Sequence, residues 1–248
     1  MAEELAVSKE QQLWKACTEG DLERVNLLAG DETVDVNWVG EDRLDTSLHR
    51  ACRFGHLEIV RVMLAHPKIE VNKGNKGDAS PFYIACQEVH KEVVSLLLAD
   101  PRIDPNKPQN EGATPFYVAC LNGRKEVVSL LLADPRIDPN KPKNKEVTPF
   151  FMACQKGHKE VVSLLLADPK IDPSKPNKNE ATPFFPACQN GRKEVFSLLL
   201  ADPRIDITCQ THSGETALEV AFRSGQIDVA RDLLKIREFS IILTSESS

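Results

Sequence analysis

The chain has 248 residues, of which 41% are hydrophobic and 27% are charged, and its formal net charge is −6 at pH 7. These proportions are typical of a folded protein and exclude a disordered polar chain. The first residues lack the basic and apolar regions of a signal peptide, and no apolar run is long enough for a transmembrane helix. We therefore expect no secretion signal and no membrane partner.

The negative charge is concentrated at the start of the chain. Residues 1–45 carry twelve acidic and four basic side chains, a net charge of −8, so the remaining residues are nearly neutral. Nucleic-acid binding requires a basic face, and we therefore expect no nucleic-acid partner. Two interpretations of the acidic segment stay open: a solvated surface of a terminal cap, or a surface that attracts a basic partner.

A unit of 34 residues recurs along the chain. Its clearest copies begin with Ser/Thr-Pro-Phe at Ser80, Thr114, Thr148 and Thr182. Weaker copies in the same register begin at Thr46 and Thr216. A fixed period of this size predicts a solenoid of stacked repeats.

Each unit contains the signals of two helices. Thr114 is a candidate N-cap, and Pro115 occupies the first helical position, where its missing N–H costs nothing. Gly123 ends this first helix. A second, mostly apolar helix is predicted over residues 126–132, and Pro135 stops it.

The first helix pair is predicted over residues 10–16 and 22–29, and its charged outer face is typical of a terminal repeat. The second pair is predicted over residues 46–66. The seventh is predicted over residues 216–223 and 227–234. Pro186, at about the fourth position of its helix, predicts local fraying rather than a break.

The residues after the seventh pair are too apolar for a solvated tail. The apolar side chains are Phe239, Ile241, Ile242 and Leu243. Two interpretations stay open. This segment folds back over the last pair, or the chain is a fragment of a longer protein.

Six of the seven cysteines occupy the same position of the repeat: Cys17, Cys52, Cys86, Cys120, Cys154 and Cys188. Stacked helices lie ~10 Å apart, whereas a disulfide requires Cα atoms within about 7 Å. We therefore expect buried, unpaired thiols. Cys209 lies in a loop, as a candidate surface thiol. Free thiols predict a reducing compartment, the cytoplasm or alternatively the nucleus.

The second unit contains Thr-Ser-Leu-His-Arg-Ala at residues 46–51, followed by Gly-His-Leu-Glu-Ile-Val at residues 55–60. This pattern resembles the ankyrin-repeat signature, and the resemblance extends over about residues 10–235. It implies an all-α fold with short β-hairpin loops, an ankyrin-repeat solenoid of stacked helix-turn-helix pairs with a concave groove.

The resemblance implies a single domain over residues 1–248. Its predicted parts are an N-terminal cap repeat (1–37), five internal repeats (38–214), a C-terminal cap repeat (215–236) and a tail (237–248). Two capped ends favour a monomer.

The chain departs from the family pattern in two ways. The loop at residues 133–140 is one residue longer than the family's turn. The family's first-helix histidine, here His49, is replaced by an aromatic side chain in the middle repeats, at Tyr83, Tyr117, Phe151 and Phe185. We expect packing to replace the hydrogen bonds of that histidine.

No motif in the sequence predicts catalysis. The phosphate-binding glycine loops are absent. His-x-Glu occurs at residues 56–58, 90–92 and 158–160, but the Pro-Cys-x-x-Cys partner of a zinc deaminase does not. No two cysteines have metal-ligand spacing. We therefore expect no enzymatic activity, no metal and no cofactor.

In the ankyrin family, binding residues usually lie at the finger loops and at the ends of the first helices. Phe54 and Leu121 stand out, because apolar side chains at solvent-facing positions suit interface anchors. The candidate partner-binding residues are Arg53, Phe54, Lys76, Asn110, Glu111, Leu121, Asn122, Asn144, Lys145, Gln155, Lys156, Lys178, Asn179, Gln189 and Asn190.

These positions predict a protein-interaction module or scaffold that binds a protein or an extended peptide. The alternative is a structural spacer, or a fragment of a multidomain protein whose activity lies outside this chain. Asn72 ends a segment that resembles the motif at which ankyrin repeats are hydroxylated on Asn. An ordinary loop asparagine is the alternative there.

Overall fold

Helices form nearly all of the regular structure in the computed structural model, which describes residues 7–245 and the side chains as far as Ile236. Fourteen α-helices form seven consecutive pairs within this range, as predicted. They are α1 (Lys9–Glu19), α2 (Leu22–Ala29), α3 (Ser47–Phe54), α4 (Leu57–Ala65), α5 (Pro81–Glu88), α6 (Lys91–Leu98), α7 (Pro115–Leu121), α8 (Lys125–Ala133), α9 (Pro149–Lys156), α10 (Lys159–Leu166), α11 (Phe184–Gln189), α12 (Lys193–Ala201), α13 (Ala217–Arg223) and α14 (Ile227–Ser245).

The loop that precedes each later first helix is here called a finger. The fingers are numbered by repeat: finger 2 (39–46), finger 3 (73–80), finger 4 (107–114), finger 5 (141–148), finger 6 (175–182) and finger 7 (209–216). In the described chain they contain isolated β-bridges rather than strands, at the bases of fingers 2, 5 and 7. Their Asn, Lys, Pro and Gly residues favour turns over strands.

Ser/Thr side chains begin the first helices, as predicted. The hydroxyl of Thr148 accepts a hydrogen bond from Phe151 N–H at 3.1 Å, and Pro149 takes the first helical position. Ser80 caps α5 in the same way. The first helix of the chain uses Ser8, whose side chain and that of Gln11 form a reciprocal capping box.

Thr182 is the exception, and its predicted capping role is wrong. Phe185 N–H donates to the backbone carbonyl of Thr182 at 3.1 Å, and α11 begins only at Phe184, without a side-chain cap. Pro186 lacks the N–H that would otherwise bind this carbonyl, so the first turn of the helix rearranges. The predicted local fraying at Pro186 is confirmed.

The last helix is longer than predicted. It continues past Leu234 to Ser245, because residues 227–245 contain neither Gly nor Pro to stop it. The predicted tail began at residue 237. The apolar side chains after that position, for which folding back was one interpretation, lie outside the described side chains.

The chain divides into two compact units. Unit 1 comprises Met1–Ala119 and Glu126–Ile137, and unit 2 comprises Cys120–Lys125 and Asp138–Ser248. In unit 1, α3 packs between α1 and α5, while α4 contacts α2 and α6. In unit 2, α11 packs between α9 and α13, while α12 contacts α10. Phe82 and Phe116 in unit 1, and Phe150 and Phe184 in unit 2, are fully buried in these stacks.

The cysteines that share one repeat position are all buried and unpaired, as predicted. Burial raises the pKa of Cys17 and Cys188 to about 12, which keeps these thiols protonated and unreactive at neutral pH. Cys209 is half-buried rather than on the surface, and its thiol donates to the carbonyl of Asp206 at 3.1 Å.

The lengthened loops carry a hydrogen-bonded ladder between repeats, which we call the loop ladder. In unit 1, the Asn72 side chain donates to the carbonyl of Arg102 at 2.6 Å and accepts from Asp104 N–H at 3.0 Å. In unit 2, the Asn140 side chain donates to the carbonyl of Lys170 at 2.6 Å. Each side-chain amide thus replaces water at the polar backbone of the next loop.

An arginine in the same loops binds back to the preceding repeat. In unit 1, the guanidinium of Arg136 pairs with Asp134 at 2.7 Å and donates to the carbonyl of Leu98 at 2.7 Å. Arg102 and Arg204 make the equivalent contacts in their own units. The planar guanidinium binds a carboxylate and a carbonyl at once, which satisfies an unpaired carbonyl at the end of a second helix.

We expect Thr148→Ala to lower the free energy of unfolding by about 1 kcal/mol, because Phe151 N–H loses its acceptor. Thr182→Ala is the matched control, since its hydroxyl caps no helix, and we expect a smaller loss. Urea unfolding of both variants at unchanged m-value measures the difference. Equal losses would show that the side-chain cap at Thr148 contributes nothing.

Candidate protein-binding surface

Backbone hydrogen bonds join neighbouring fingers within each unit. In unit 1, Lys76 N–H donates to the carbonyl of Arg43 and Asn110 N–H donates to the carbonyl of Gly77, both at 2.8 Å. In unit 2, Lys178 N–H donates to the carbonyl of Lys145 at 3.1 Å. We call these bonds the finger ladder. They fix the tip of each finger, while the side chains there remain in solvent.

The predicted binding residues differ in exposure. Those with exposed side chains are Phe54, Lys76, Asn110, Glu111, Asn144, Lys145, Lys156, Lys178, Asn179, Gln189 and Asn190. Those with half-buried side chains are Arg53, Leu121, Asn122 and Gln155. Each of them lies at a finger tip or at the end of a first helix, as the sequence predicted.

Arg53 is held by carboxylates on both sides. Its guanidinium lies 3.3 Å from Asp45 and 3.4 Å from Glu88, and its side chain is only 13% exposed. Asp45 is almost fully buried, and it also accepts from the Asn75 side chain at 2.8 Å and lies 3.7 Å from Arg50. Buried charges require such partners, so Arg53 is fixed in one orientation.

Phe54 is 45% exposed, but one face of its ring is covered. The guanidinium carbon of Arg50 lies 4.9 Å from the centre of this ring and 4.4 Å from the ring of Trp14. Cation–π attraction therefore links the first two repeats of unit 1. The sequence reasoning missed Trp14 and Arg50, because only the stacking of α1 on α3 brings them together.

Leu121 is less available than the sequence suggested, since it is half-buried. Its carbonyl accepts from the His158 ring at 2.8 Å within unit 2. In unit 1, the His90 ring donates to the carbonyl of Arg53 at 2.9 Å in the same way. The His-x-Glu segments therefore serve to join successive repeats, and the described residues contain no cluster of side chains able to hold a metal ion.

His49 makes the network that the middle repeats have lost. Its Nδ1 atom accepts from Thr46 N–H at 3.1 Å, and its Nε2 atom donates to the carbonyl of Ala79 at 2.9 Å. Both bonds together require the neutral imidazole. Burial lowers the pKa of His49 to about 4.

The aromatic side chains that replace this histidine are buried. Packing replaces its hydrogen bonds at these positions, as expected. Burial raises the pKa of Tyr83 to about 12. The hydroxyl therefore stays protonated at neutral pH.

Unit 1 contains a cavity of about 370 Å³ between its fingers and first helices, which we call the finger cavity. Its polar lining consists of three cations, three amides and one tyrosine: Arg43, Arg53, Lys76, Asn75, Gln87, Gln109 and Tyr83. Arg53 and Lys76 were candidates from the sequence. Gln87 was recognised as the end of a first helix, whereas Asn75 and Gln109 were missed, because Asn and Gln are common throughout these loops and give no distinct signal.

Asn72 belongs to the loop ladder, where both ends of its side-chain amide are bonded. Asn37 makes the equivalent bonds one repeat earlier, to Lys68 and Glu70. The geometry of Asn72 is therefore shared along the ladder and does not single it out for modification.

A family model described as Ankyrin repeats (3 copies) matches residues 13–109, 64–142, 101–177 and 150–243. Comparison with curated proteins finds no match. Ankyrin repeats generally mediate protein–protein interactions and are typically non-catalytic. None of the helices in the described part of the chain has the length and apolar character that a membrane span requires.

We expect the free energy of unfolding to fall as the pH is lowered from about 6.5 towards 4. Unfolded histidine binds a proton near pH 6.5, whereas folded His49 has a pKa of about 4. The unfolded state therefore binds more protons than the folded state in this pH window. For each pH unit that the pH falls, His49 lowers the free energy of unfolding by at most ~1.4 kcal/mol.

The control for this prediction is His49→Tyr, which places the aromatic residue of the next repeat at this position. Urea unfolding at pH 7 and pH 5 compares the two proteins. The variant should lose less stability between these pH values than the parent. An identical loss would exclude His49 as the source.

Proposed function

Because the chain belongs to the ankyrin-repeat family, we propose that it binds a protein or an extended peptide through its fingers and the ends of its first helices. The finger ladder supports this proposal most directly. It holds the finger backbones in place while leaving the side chains of Lys76, Asn110 and Lys178 exposed. A surface that is ordered before binding loses less entropy when a partner arrives.

The contrast between buried and exposed positions also supports recognition. The core position of the first helix is Phe in four successive repeats: Phe82, Phe116, Phe150 and Phe184. The corresponding finger-tip position varies: it is Lys in two of these repeats (Lys76 and Lys178) and Asn in the other two (Asn110 and Asn144). Shared packing fixes the first set, whereas solvent-exposed tips are free to match a partner.

The proposed activity is binding alone. The described surface offers amides and lysines, which suit the backbone carbonyls and polar side chains of another protein. The repeated cysteines are buried and protonated, so they are poor nucleophiles.

We expect a variant with Phe54, Leu121, Lys145 and Lys156 all replaced by Ala to lose its partner. The reason is that two apolar contacts and two charges at the proposed surface are removed together. Tagged parent and variant proteins are used to capture partners from lysate, and mass spectrometry compares the captured proteins.

The matched control replaces two leucines and two lysines on second helices, Leu27, Leu130, Lys91 and Lys159, with Ala. It removes the same number of apolar and basic side chains, two of each, from second helices and should retain the partner. Urea unfolding checks that both variants are folded. Equal capture by both variants, or no capture by the parent, would contradict the proposed binding function.

A further inference from the structure

We propose that the finger cavity of unit 1 is a carboxylate-binding site, which takes the Asp or Glu side chains of an extended acidic segment in a partner protein. This inference rests on the proposed binding function and specifies the chemistry of one part of that surface. It follows from the charges, their partners and a comparison with the equivalent positions in unit 2.

The cavity is lined by three cations and by no carboxylate. Arg43 and Lys76 are exposed at the tips of fingers 2 and 3, and among the described residues neither has an ion-pair partner. Asp45 and Glu88 do not line the cavity, but they pair with Arg53 and compensate its charge. An incoming carboxylate therefore meets two uncompensated cations at the rim.

Arg53 adds a fixed guanidinium group, with N–H donors, at the base of the cavity. Its two carboxylate partners hold the guanidinium in place, so little side-chain entropy is lost when a ligand binds next to it. Asn75 is fixed as well, because it donates to Asp45 at 2.8 Å and accepts from Gly77 N–H at 3.0 Å. The site is thus assembled before the ligand arrives.

Nearby acidic side chains limit where the ligand can lie. Glu111 is exposed on finger 4, and its charge contributes to the raised pKa of Tyr83. An acidic residue of the ligand is favoured at fingers 2 and 3, where Arg43 and Lys76 line the cavity. Glu41 and Asp42 are exposed on finger 2 but do not line the cavity.

A protein segment suits this site better than a nucleic acid. Nucleic-acid binding depends on many phosphate contacts along a broad basic surface, whereas this cavity has three cations. The chain carries a net charge of −6, and residues 1–45 alone carry −8. The three cations of the cavity can contact one or two carboxylates at short range. The net negative charge of the chain would repel a polyanion at long range.

Unit 2 provides an internal comparison. Lys145 and Lys178 occupy the positions equivalent to Arg43 and Lys76, three repeats later, and the same finger-ladder bond joins them. The residue equivalent to Arg53 is Gln155. Unit 2 therefore repeats the cationic rim without the cation at the base, and the two pairs can be tested against each other.

The probe is a fluorescein-labelled peptide of alternating Glu and Gly, with a peptide of alternating Gln and Gly as its uncharged counterpart. Fluorescence anisotropy measures binding to the full chain at low ionic strength, where exposed charges are least screened. We expect the Glu peptide to bind and the Gln peptide to bind at least about tenfold more weakly.

The variants are Arg43→Ala/Lys76→Ala and its control, Lys145→Ala/Lys178→Ala. Both remove two exposed cations, so both change the net charge of the protein equally. We expect the first pair to weaken Glu-peptide binding about tenfold, equivalent to 1.4 kcal/mol, and the control to change it less than about twofold.

Three results would overturn the inference: no binding of the Glu peptide, equal losses in the two variants, or a single-stranded RNA that binds with the same dependence on Arg43 and Lys76. The last would make the cavity a general polyanion site. Partner capture by the parent, lost in the variant of Phe54, Leu121, Lys145 and Lys156, would still support the binding function. Failure of the carboxylate site is therefore distinguishable from failure of that function.

Discussion

The packing of each helix pair on its neighbours is the constraint on which the rest of the structure depends. A single pair cannot close a hydrophobic core, so its apolar face is buried only when the next pair stacks on it. In unit 1, α3 is covered by α1 on one side and by α5 on the other, and Phe82 is fully buried. Stability and the geometry of the surface therefore arise from the same contacts between repeats.

Hydrogen bonds fix the register of this stacking at separate places along each repeat. The finger ladder acts at the tips, the loop ladder at Asn72 and Asn140, and ring nitrogens such as that of His90 act between them. These bonds use backbone groups that would otherwise need water. The proposed binding function depends on exposed side chains at the finger tips, such as those of Lys76 and Lys178.

Charged side chains around Asp45 distinguish this region of unit 1 from the equivalent positions in other repeats. Asp45 is a buried anion, and the cations around it, Arg50 and Arg53, are positioned by the need to compensate its charge. Arg50 in turn stacks on Trp14 and Phe54, while Arg53 reaches the finger cavity. One buried carboxylate thus organises both the aromatic contact and the proposed carboxylate site, and Val147 is its equivalent in unit 2.

The sequence alone determined the repeat, the helix pairs and the caps, because these depend on local signals at a constant spacing: a hydroxyl before Pro, a Gly after the helix and apolar residues on one face. It also identified Pro186 as a disturbance, but not that Thr182 would lose its capping role. Only the tertiary structure decided which exposed residues act together. Each pair of contacting residues comes from two different repeats: Trp14 contacts Arg50, and Lys76 contacts Arg43. These contacts depend on stacking distances that no local sequence pattern records.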